Sequence, residues 1–390
     1  LSRKRVFLYV QHLLGIGHFK RAAALARAMA AAGLEVTLAS GGAEAPGLAL
    51  EGVRLVQLPP ARAADSRFTV LVDGAGRPID EAWRARRREA LLGACRAAAP
   101  HALLIELFPF GRRQMRFELE PLLGEALRAP RRPVIVSSVR DVLGGGRREP
   151  SRQDEMLERF ERFFDHLLVH GDPAFLPFER TFRHAARLGP KLHYTGYVVE
   201  RPSPGEGERA GEQEILVSAG GGAVGERLLE TAIGCRALSV AANHIWRVLA
   251  GVNAADDALA RLERLAAGFG AGRVIVERAR ADFAARLRHC ALSLSQAGYN
   301  TMMEVLDAGA RAVAVPFAGG AETEQLLRAR ALAERGRIEL VEEAALSPPS
   351  LAAAVDRALA RPRPAPGGVD LGGAQRSAEL LVRWVEDLSW

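Results

Sequence analysis

Residues 295–331 read SQAGYNTMMEVLDAGARAVAVPFAGGAETEQLLRARA, and this run decides the fold. A small-residue turn, Gly298-Tyr299-Asn300-Thr301, opens a helix pattern with Glu304 one turn in. A short apolar strand, Ala312 to Val315, ends at Pro316-Phe317. A Gly-rich loop follows, and Glu324-Gln325 heads the next helix. Strand, turn and helix in this order belong to a parallel α/β sheet, where ligands bind beyond the C-terminal strand ends. Helix N-termini at that edge offer unpaired N–H groups and a positive dipole end to phosphate. Glu304 lies near such a terminus and is suited to accept hydrogen bonds from two ribose hydroxyls. Glu324 and Gln325 would face a second part of the same ligand.

Outward from this run, apolar β-branched segments alternate with helical patterns along the whole chain, which predicts parallel α/β layers. The expected strands in the first half are Val6–Val10, Glu35–Ala39, Val53–Leu58, Ala102–Glu106, Val134–Ser138, His166–His170 and Leu192–Thr195. In the second half they are Glu214–Ala219, Ile245–Ala250, Arg273–Val276, Ala291–Leu294, Ala312–Val315 and Glu339–Val341. Between the sets lies Pro202-Ser203-Pro204-Gly205-Glu206-Gly207-Glu208, a linker composition. The expected organisation is a domain over 1–200, a linker over 201–212, a second domain over 213–372 and a final helix over 373–390. Trp384 and Trp390 suit docking of that helix.

At 390 residues, 48% hydrophobic and 25% charged, the chain has the composition of a globular protein of two or three domains. No run approaches the roughly 18 uninterrupted apolar residues of a membrane-spanning helix. Leu1 to Arg5 lead straight into a strand pattern without an apolar signal core. The expectation is therefore a cytoplasmic enzyme whose natural start, given Leu at position 1, lies upstream or is altered. Cys95, Cys235 and Cys290 have neither metal nor disulfide-framework spacing. The net charge of +7 is unevenly placed: residues 1–200 hold 31 Lys+Arg against 22 Asp+Glu, and residues 201–390 hold 22 against 24. A basic first half suits an anionic acceptor or a peripheral contact at the inner membrane face. Nucleic acid is not expected, because the basic residues are not interleaved with aromatics.

The chemistry-bearing candidates cluster at strand ends. Gln11 to Phe19 follow the first strand, with Gly15 and Gly17 expected to make a tight positive-φ turn ahead of His18. Near pH 7 a neutral imidazole can accept a hydroxyl proton. His12, earlier in the turn, is the weaker rival. Glu106 and Asp141 end or follow strands and are expected to orient His18 or act as base themselves. Arg112, Arg113 and Arg140 are suited to clamp an anion. In the second half Gly220-Gly221-Gly222 follows a strand and lets backbone N–H groups approach a diphosphate. No Walker lysine follows, so a P-loop is excluded. No Asp-x-Asp element is present, so no metal site and no cofactor is expected. His166 and His170 share a strand face without a third ligand and read as structural.

The run from Gly298 to Gln325 resembles the nucleotide-sugar signature of GT-B glycosyltransferases, those with two Rossmann-like domains whose sheets face a cleft. It is similar to the MurG-type family and more distantly to the plant-type UDP-glucosyltransferases. Gly298, Thr301, Glu304, Pro316, Glu324 and Gln325 stand at the positions of that signature. The resemblance implies a nucleoside-diphosphate sugar, UDP favoured, in the second domain and a hydroxyl acceptor in the first. Gln296, Tyr299, Asn300 and Phe317 belong to the same implied donor site, with Glu304 on the ribose and Gln325 and Glu324 on the sugar. Gly15, Gly17 and His18 stand where MurG-type enzymes have a Gly-rich turn ending in His. The implied reaction is transfer with inversion, without metal. Tyr299-Asn300 is closer to the plant-type pattern, and Glu324 replaces the Gln or His of MurG-type enzymes. The alternatives on this fold are a nucleotide-sugar epimerase or hydrolase, and a binding protein without catalysis.

Overall fold

The computed structural model describes residues 3–388 except 14, 46–49, 65–69, 144–149, 202–210, 220–224, 252–253, 270–271 and 320–322. The chain divides into two units. The first takes in residues 1–143, 147–198 and 372–390, and the second takes in 144–146 and 199–371. The Pro/Gly linker, Gly220 to Gly222 and Trp390 lie outside the described residues.

In the first unit β1 (Arg5–Val10) leads to α1 (Gly17–Ala31), β2 (Glu35–Ser40) and β3 (Val53–Gln57). A small antiparallel pair, β4 (Arg62–Ala63) and β5 (Leu71–Val72), precedes α2 (Glu81–Ala98). Then come β6 (Ala102–Glu106), α3 (Arg116–Arg128), β7 (Val134–Arg140), α4 (Pro150–Phe163), β8 (His166–His170), α5 (Ala185–Leu188) and β9 (Leu192–Tyr194). Seven strands form one parallel sheet in the order β3-β2-β1-β6-β7-β8-β9. Central strands are buried on both faces, which is why they read as continuous apolar runs. Phe7, Tyr9, Leu103 and Ile105 pack with Leu91, Leu119 and Leu157 of α2, α3 and α4 on one face. Val6, Leu8, Val10 and Leu104 pack with Leu25 and Met29 of α1 on the other.

The second unit runs β10 (Ile215–Ser218), α6 (Glu226–Cys235), β11 (Trp246–Ala250), α7 (Asp256–Ala267), β12 (Val274–Arg278), α8 (Phe283–Leu287), β13 (Leu292–Ser295), α9 (Tyr299–Ala308), β14 (Ala312–Ala314), α10 (Glu324–Glu334), β15 (Glu339–Leu340) and α11 (Pro348–Ala360). Its six strands are parallel in the order β12-β11-β10-β13-β14-β15. Ile215, Val217 and Val248 pack under Leu228 and Ala232 of α6 and Leu351 and Val355 of α11. Every expected strand is present. Among the described residues only the β4–β5 pair was unread, its two-residue arms being too short to show an alternation.

The last helix, α12 (Gly373–Glu386), belongs to the first unit. Ala374, Ala378, Leu381 and Val385, one helical face, join the core over Val6, Leu8 and Leu168. The Trp384 indole stacks on His166 at 3.9 Å between centroids and 6° between planes. His193 donates or accepts across 3.2 Å to Nδ1 of the same His166. The helix begins in close backbone contact: a Cβ on Gly373 would lie 2.3 Å from the Gly196 carbonyl oxygen and 2.7 Å from that of Tyr197. We expect Gly373→Ala to push α12 off this seat and lower stability by roughly 1–3 kcal/mol in chemical denaturation. An unchanged midpoint and slope would show that the contact is soft.

Candidate active site

Each sheet reverses its growth once. In the first unit this switch falls between β1 and β6, the place where open α/β sheets take ligands. The residues after β1 supply His18, and the last residue of β6 is Glu106. His18 is the second residue of α1. Gly17 is the first and carries no positive φ, so the expected strained turn is replaced there by an ordinary helix start. His18 Nδ1 lies 2.7 Å from Oε1 of Glu106. An ionised carboxylate only accepts, so Nδ1 carries the proton and donates it, leaving the Nε2 lone pair free of that bond. The His18 side chain is 18% exposed while that of Glu106 is 1% exposed.

Burial, helped by Arg112 and Arg140 and only partly offset by Glu106, pushes the His18 imidazole down to about 3. His18 is therefore neutral at pH 7. Burial alone would raise Glu106, but His18, Arg21 and Arg112 hold it below the carboxylate range. Arg21, one turn beyond His18 on α1, pairs with the same Oε1 and is itself buried. Arg21 is a residue the sequence reading missed. Its signal was the i,i+3 spacing from His18, which puts both on one helix face.

The segment after Glu106 is tightly held. Leu107 and Arg112 both occupy the left-handed region, at φ 66° and 56°, which costs a non-glycine residue roughly 1–3 kcal/mol and persists where surroundings impose it. Arg112 Nε donates to the Gln11 carbonyl at 2.7 Å, tying this segment to the loop after β1. Arg113 is exposed, with its charge acting on Glu155. Arg140 ends β7, next to β6, and is half-buried. Asp141 is fully buried; its Oδ2 accepts from the Tyr197 hydroxyl at 2.8 Å and its Oδ1 from the Val142 N–H at 2.9 Å.

Beneath the loop after β1 lies a buried polar network that the sequence did not announce. Arg87 of α2 and Glu118 of α3 are fully buried and paired at 2.9 Å. Arg87 also donates to Gln11 Oε1 at 2.9 Å and to the Gly41 carbonyl at 3.0 Å. Tyr9 donates to Glu118 Oε1 at 2.5 Å. A Cβ on Gly41 would lie 2.2 Å from the Arg87 guanidinium, and one on Gly42 2.3 Å from the His12 ring. His12 Nε2 donates to the Ala43 carbonyl at 3.0 Å, so that ring is spent on structure.

In the second unit the switch falls between β10 and β13. Gly225, at φ 120° ahead of α6, leaves room for Gln296 beyond β13: a Cβ there would lie 3.0 Å from the Gln296 amide nitrogen. Gly298 precedes α9 with no side-chain cap, so the first N–H groups of that helix meet no capping side chain. Tyr299, Met302 and Glu304 are buried, and Asn300 and Thr301 half-buried. Glu324 and Arg328 are buried and paired at 2.9 Å, four residues apart on α10. Arg328 also donates to the Ala297 carbonyl at 3.2 Å and stacks over the Tyr299 ring at 5.3 Å. The Glu324 carboxylate thus fixes Arg328, which fixes the turn from Gln296 to Tyr299. Gln325 Oε1 accepts from the Phe317 N–H at 3.1 Å. Among the described residues, no group of three or more His, Cys, Asp or Glu is placed to hold a metal. His170 instead bonds Ser138 at 2.7 Å and Thr195 at 2.9 Å.

Solved structures with the same fold cover the whole chain. The glycotransferase of kitacinnamycin superposes with a TM-score of 0.62 at 16% identity, over 99% of this chain and 100% of that one. A UDP-glucosyltransferase from Polygonum tinctorium, capable of glucosylating indoxyl, gives 0.62 at 14% identity over 100% and 94%. MurG of Acinetobacter baumannii gives 0.53 at 16% identity over 98% and 95%. A sequence search of curated proteins finds no match. The fold shared with these structures is GT-B. Residues 273–366 match the model of the glycosyltransferase family 28 C-terminal domain.

Burial lowers six histidines of the first unit, His12, His18, His101, His166, His170 and His193, of which His18 and His170 fall to about 3 and His166 to about 4. Below its ordinary value near 6.5 the unfolded chain takes up protons that the folded one refuses, so stability is whole above that pH and falls as pH drops. For the fully buried His170 alone the loss at pH 5 is about 2 kcal/mol. Chemical denaturation between pH 7.5 and 5 should show this fall, and His170→Asn should flatten it. An equal slope in the variant would mean that His170 is protonated in the folded state.

Proposed function

We propose that the chain transfers a sugar from a nucleoside-diphosphate sugar, UDP-linked by preference, to a hydroxyl acceptor with inversion at the anomeric carbon. The observation that carries this reading is the His18–Glu106 pair at the switch point of the first sheet. A neutral imidazole whose Nδ1–H is held by a buried carboxylate presents Nε2 as a base, and the carboxylate stabilises the imidazolium once it forms. In the transfer the acceptor hydroxyl gives its proton to Nε2. Its oxygen bonds the anomeric carbon while the bond from that carbon to the diphosphate breaks. One displacement inverts the centre.

The second unit supports a donor role through three helix starts that follow β10, β13 and β14. The N-terminus of α9, with Gly298 and Thr301, is suited to the diphosphate without a metal. Gly220 to Gly222 belong to the same assignment. Glu304 is assigned to the ribose, Tyr299, Asn300 and Phe317 to the base and sugar surroundings, and Gln325 to the sugar hydroxyls. Glu324 takes part through Arg328, which anchors the turn carrying Gln296. The name of the Polygonum tinctorium neighbour favours UDP. No helix among the described residues is long and apolar enough to cross a membrane. A cytoplasmic place, with peripheral contact through the basic first half, belongs to the same proposal.

The test is turnover of UDP-glucose and UDP-N-acetylglucosamine against a pool of hydroxyl acceptors, without added metal. His18→Gln should lower kcat by about 10²–10⁴-fold with the donor KM unchanged. Nucleotide release as fast without acceptor as with it would point to a hydrolase. Full activity of His18→Gln would overturn the assignment of the base.

A further inference from the structure

The chain beyond β14 is held more firmly than its small residues suggest. The Val315 N–H still bonds the Ser295 carbonyl of β13, at 2.8 Å. Pro316 then has no N–H with which to continue the ladder. The next two N–H groups are both taken by side chains of other elements. Phe317 donates to Oε1 of Gln325, the second residue of α10, at 3.1 Å. Ala318 donates to Oε2 of Glu343, 25 residues on, at 2.7 Å. Gly319 closes the turn over the Phe317 ring, and a Cβ there would run into that ring.

Glu343 stands on a rigid mount. It opens a single 3-10 turn, Glu343–Ala345, which follows β15, the neighbour of β14. Glu342 beside it pairs with Arg330 of α10 at 2.7 Å. The Ala345 carbonyl accepts from the Ser350 hydroxyl of α11 at 2.7 Å, and the Leu346 carbonyl from Arg227 of α6 at 3.2 Å. A carboxylate braced from three helices thus grips one backbone N–H, and a charge-assisted bond of this kind is stronger than a neutral one. The bond from Phe317 also settles the orientation of the Gln325 amide, because only its oxygen can accept that N–H. Its NH2 end, a donor, is the end left for a ligand.

We propose that Glu343 is a positioning residue of the donor site, holding through the Ala318 N–H the turn that sets Gln325 toward the sugar. This rests on the assignment of the second unit to the donor, in which Gln325 takes the sugar hydroxyls. Glu343 touches backbone and acts through Gln325, so its effect is confined to the sugar half of the ligand. The start of α9, assigned to the diphosphate and ribose, is anchored separately by Arg328 on the Ala297 carbonyl and the Tyr299 ring. Affinity for the sugar is therefore separable from affinity for the nucleotide, and the sugar group that faces Gln325 must accept a hydrogen bond.

The test titrates the full chain with UDP-glucose, UDP-N-acetylglucosamine and UDP. Glu343→Ala should weaken at least one of the two sugar nucleotides about ten-fold and leave UDP unchanged. Glu343→Gln keeps an oxygen able to accept from Ala318 and should restore most of that loss. Glu334→Gln, an exposed carboxylate at the end of α10, should alter none of the three affinities. The Ala318 amide resonance reads the bond itself, moving in Glu343→Ala and staying near its native place in Glu343→Gln. Equal weakening of UDP and the sugar nucleotides, no weakening of any, or an unmoved Ala318 amide would overturn the proposal. A native chain that binds none of the three, with the Ala318 amide still responding to Glu343→Ala, would overturn the donor reading instead and reduce Glu343 to a structural clasp.

Discussion

The reversal in strand order is the constraint on which the rest depends. Where neighbouring strands send their connections to opposite faces of a sheet, a crevice opens that no helix fills. In the first unit that crevice would leave the Glu106 carboxylate in a low-dielectric place where an unpaired charge is untenable. Arg21 and His18, one turn apart on α1, resolve this from a single helix. The same bonds that keep Glu106 ionised fix the His18 tautomer, so the requirement of burial and the requirement of chemistry are met by one arrangement. In the second unit the corresponding crevice is bordered by Gln296, Gly225 and the start of α9.

The two crevices are stiffened in different ways. Below the first, Arg87 gathers Gln11 after β1, Gly41 after β2 and Glu118 of α3, and Gly41 leaves the room that its guanidinium fills. Such a fully buried pair is costly to desolvate and is severely destabilising to break. Beside the second, Arg328 does the equivalent work between α10 and the turn before α9, with the Tyr299 ring under its guanidinium. In each unit a buried arginine sets the backbone path of the residues proposed to meet the ligand.

Much of the fold was legible in the sequence. Parallel strands covered on both faces must be apolar throughout, so Val6–Val10, Ala102–Glu106 and Ala312–Val315 declared themselves. Glu106 and His18 were legible too, because a polar residue at a strand tip or helix start faces the edge where ligands bind. What escaped was non-local. Arg87 and Glu118 meet across 31 positions, and in a chain with only three lysines, Lys4, Lys20 and Lys191, one arginine among many carries no mark. Gly41 and Gly42 carry no local signal either, since the close approach of Arg87 to the first and of His12 to the second is what requires them. The Glu324–Arg328 pair, four residues apart on α10, had a visible i,i+4 spacing and went unread.

The division of labour proposed for the units turns on whether the second one holds the donor nucleotide. Calorimetric titration of the full chain with UDP, dTDP, GDP and ADP, without added metal, measures that directly. UDP is expected to bind, and Glu304→Ala is expected to abolish the heat while leaving the fold intact. Binding of none of the four would contradict the donor site and leave a GT-B scaffold whose ligand lies elsewhere.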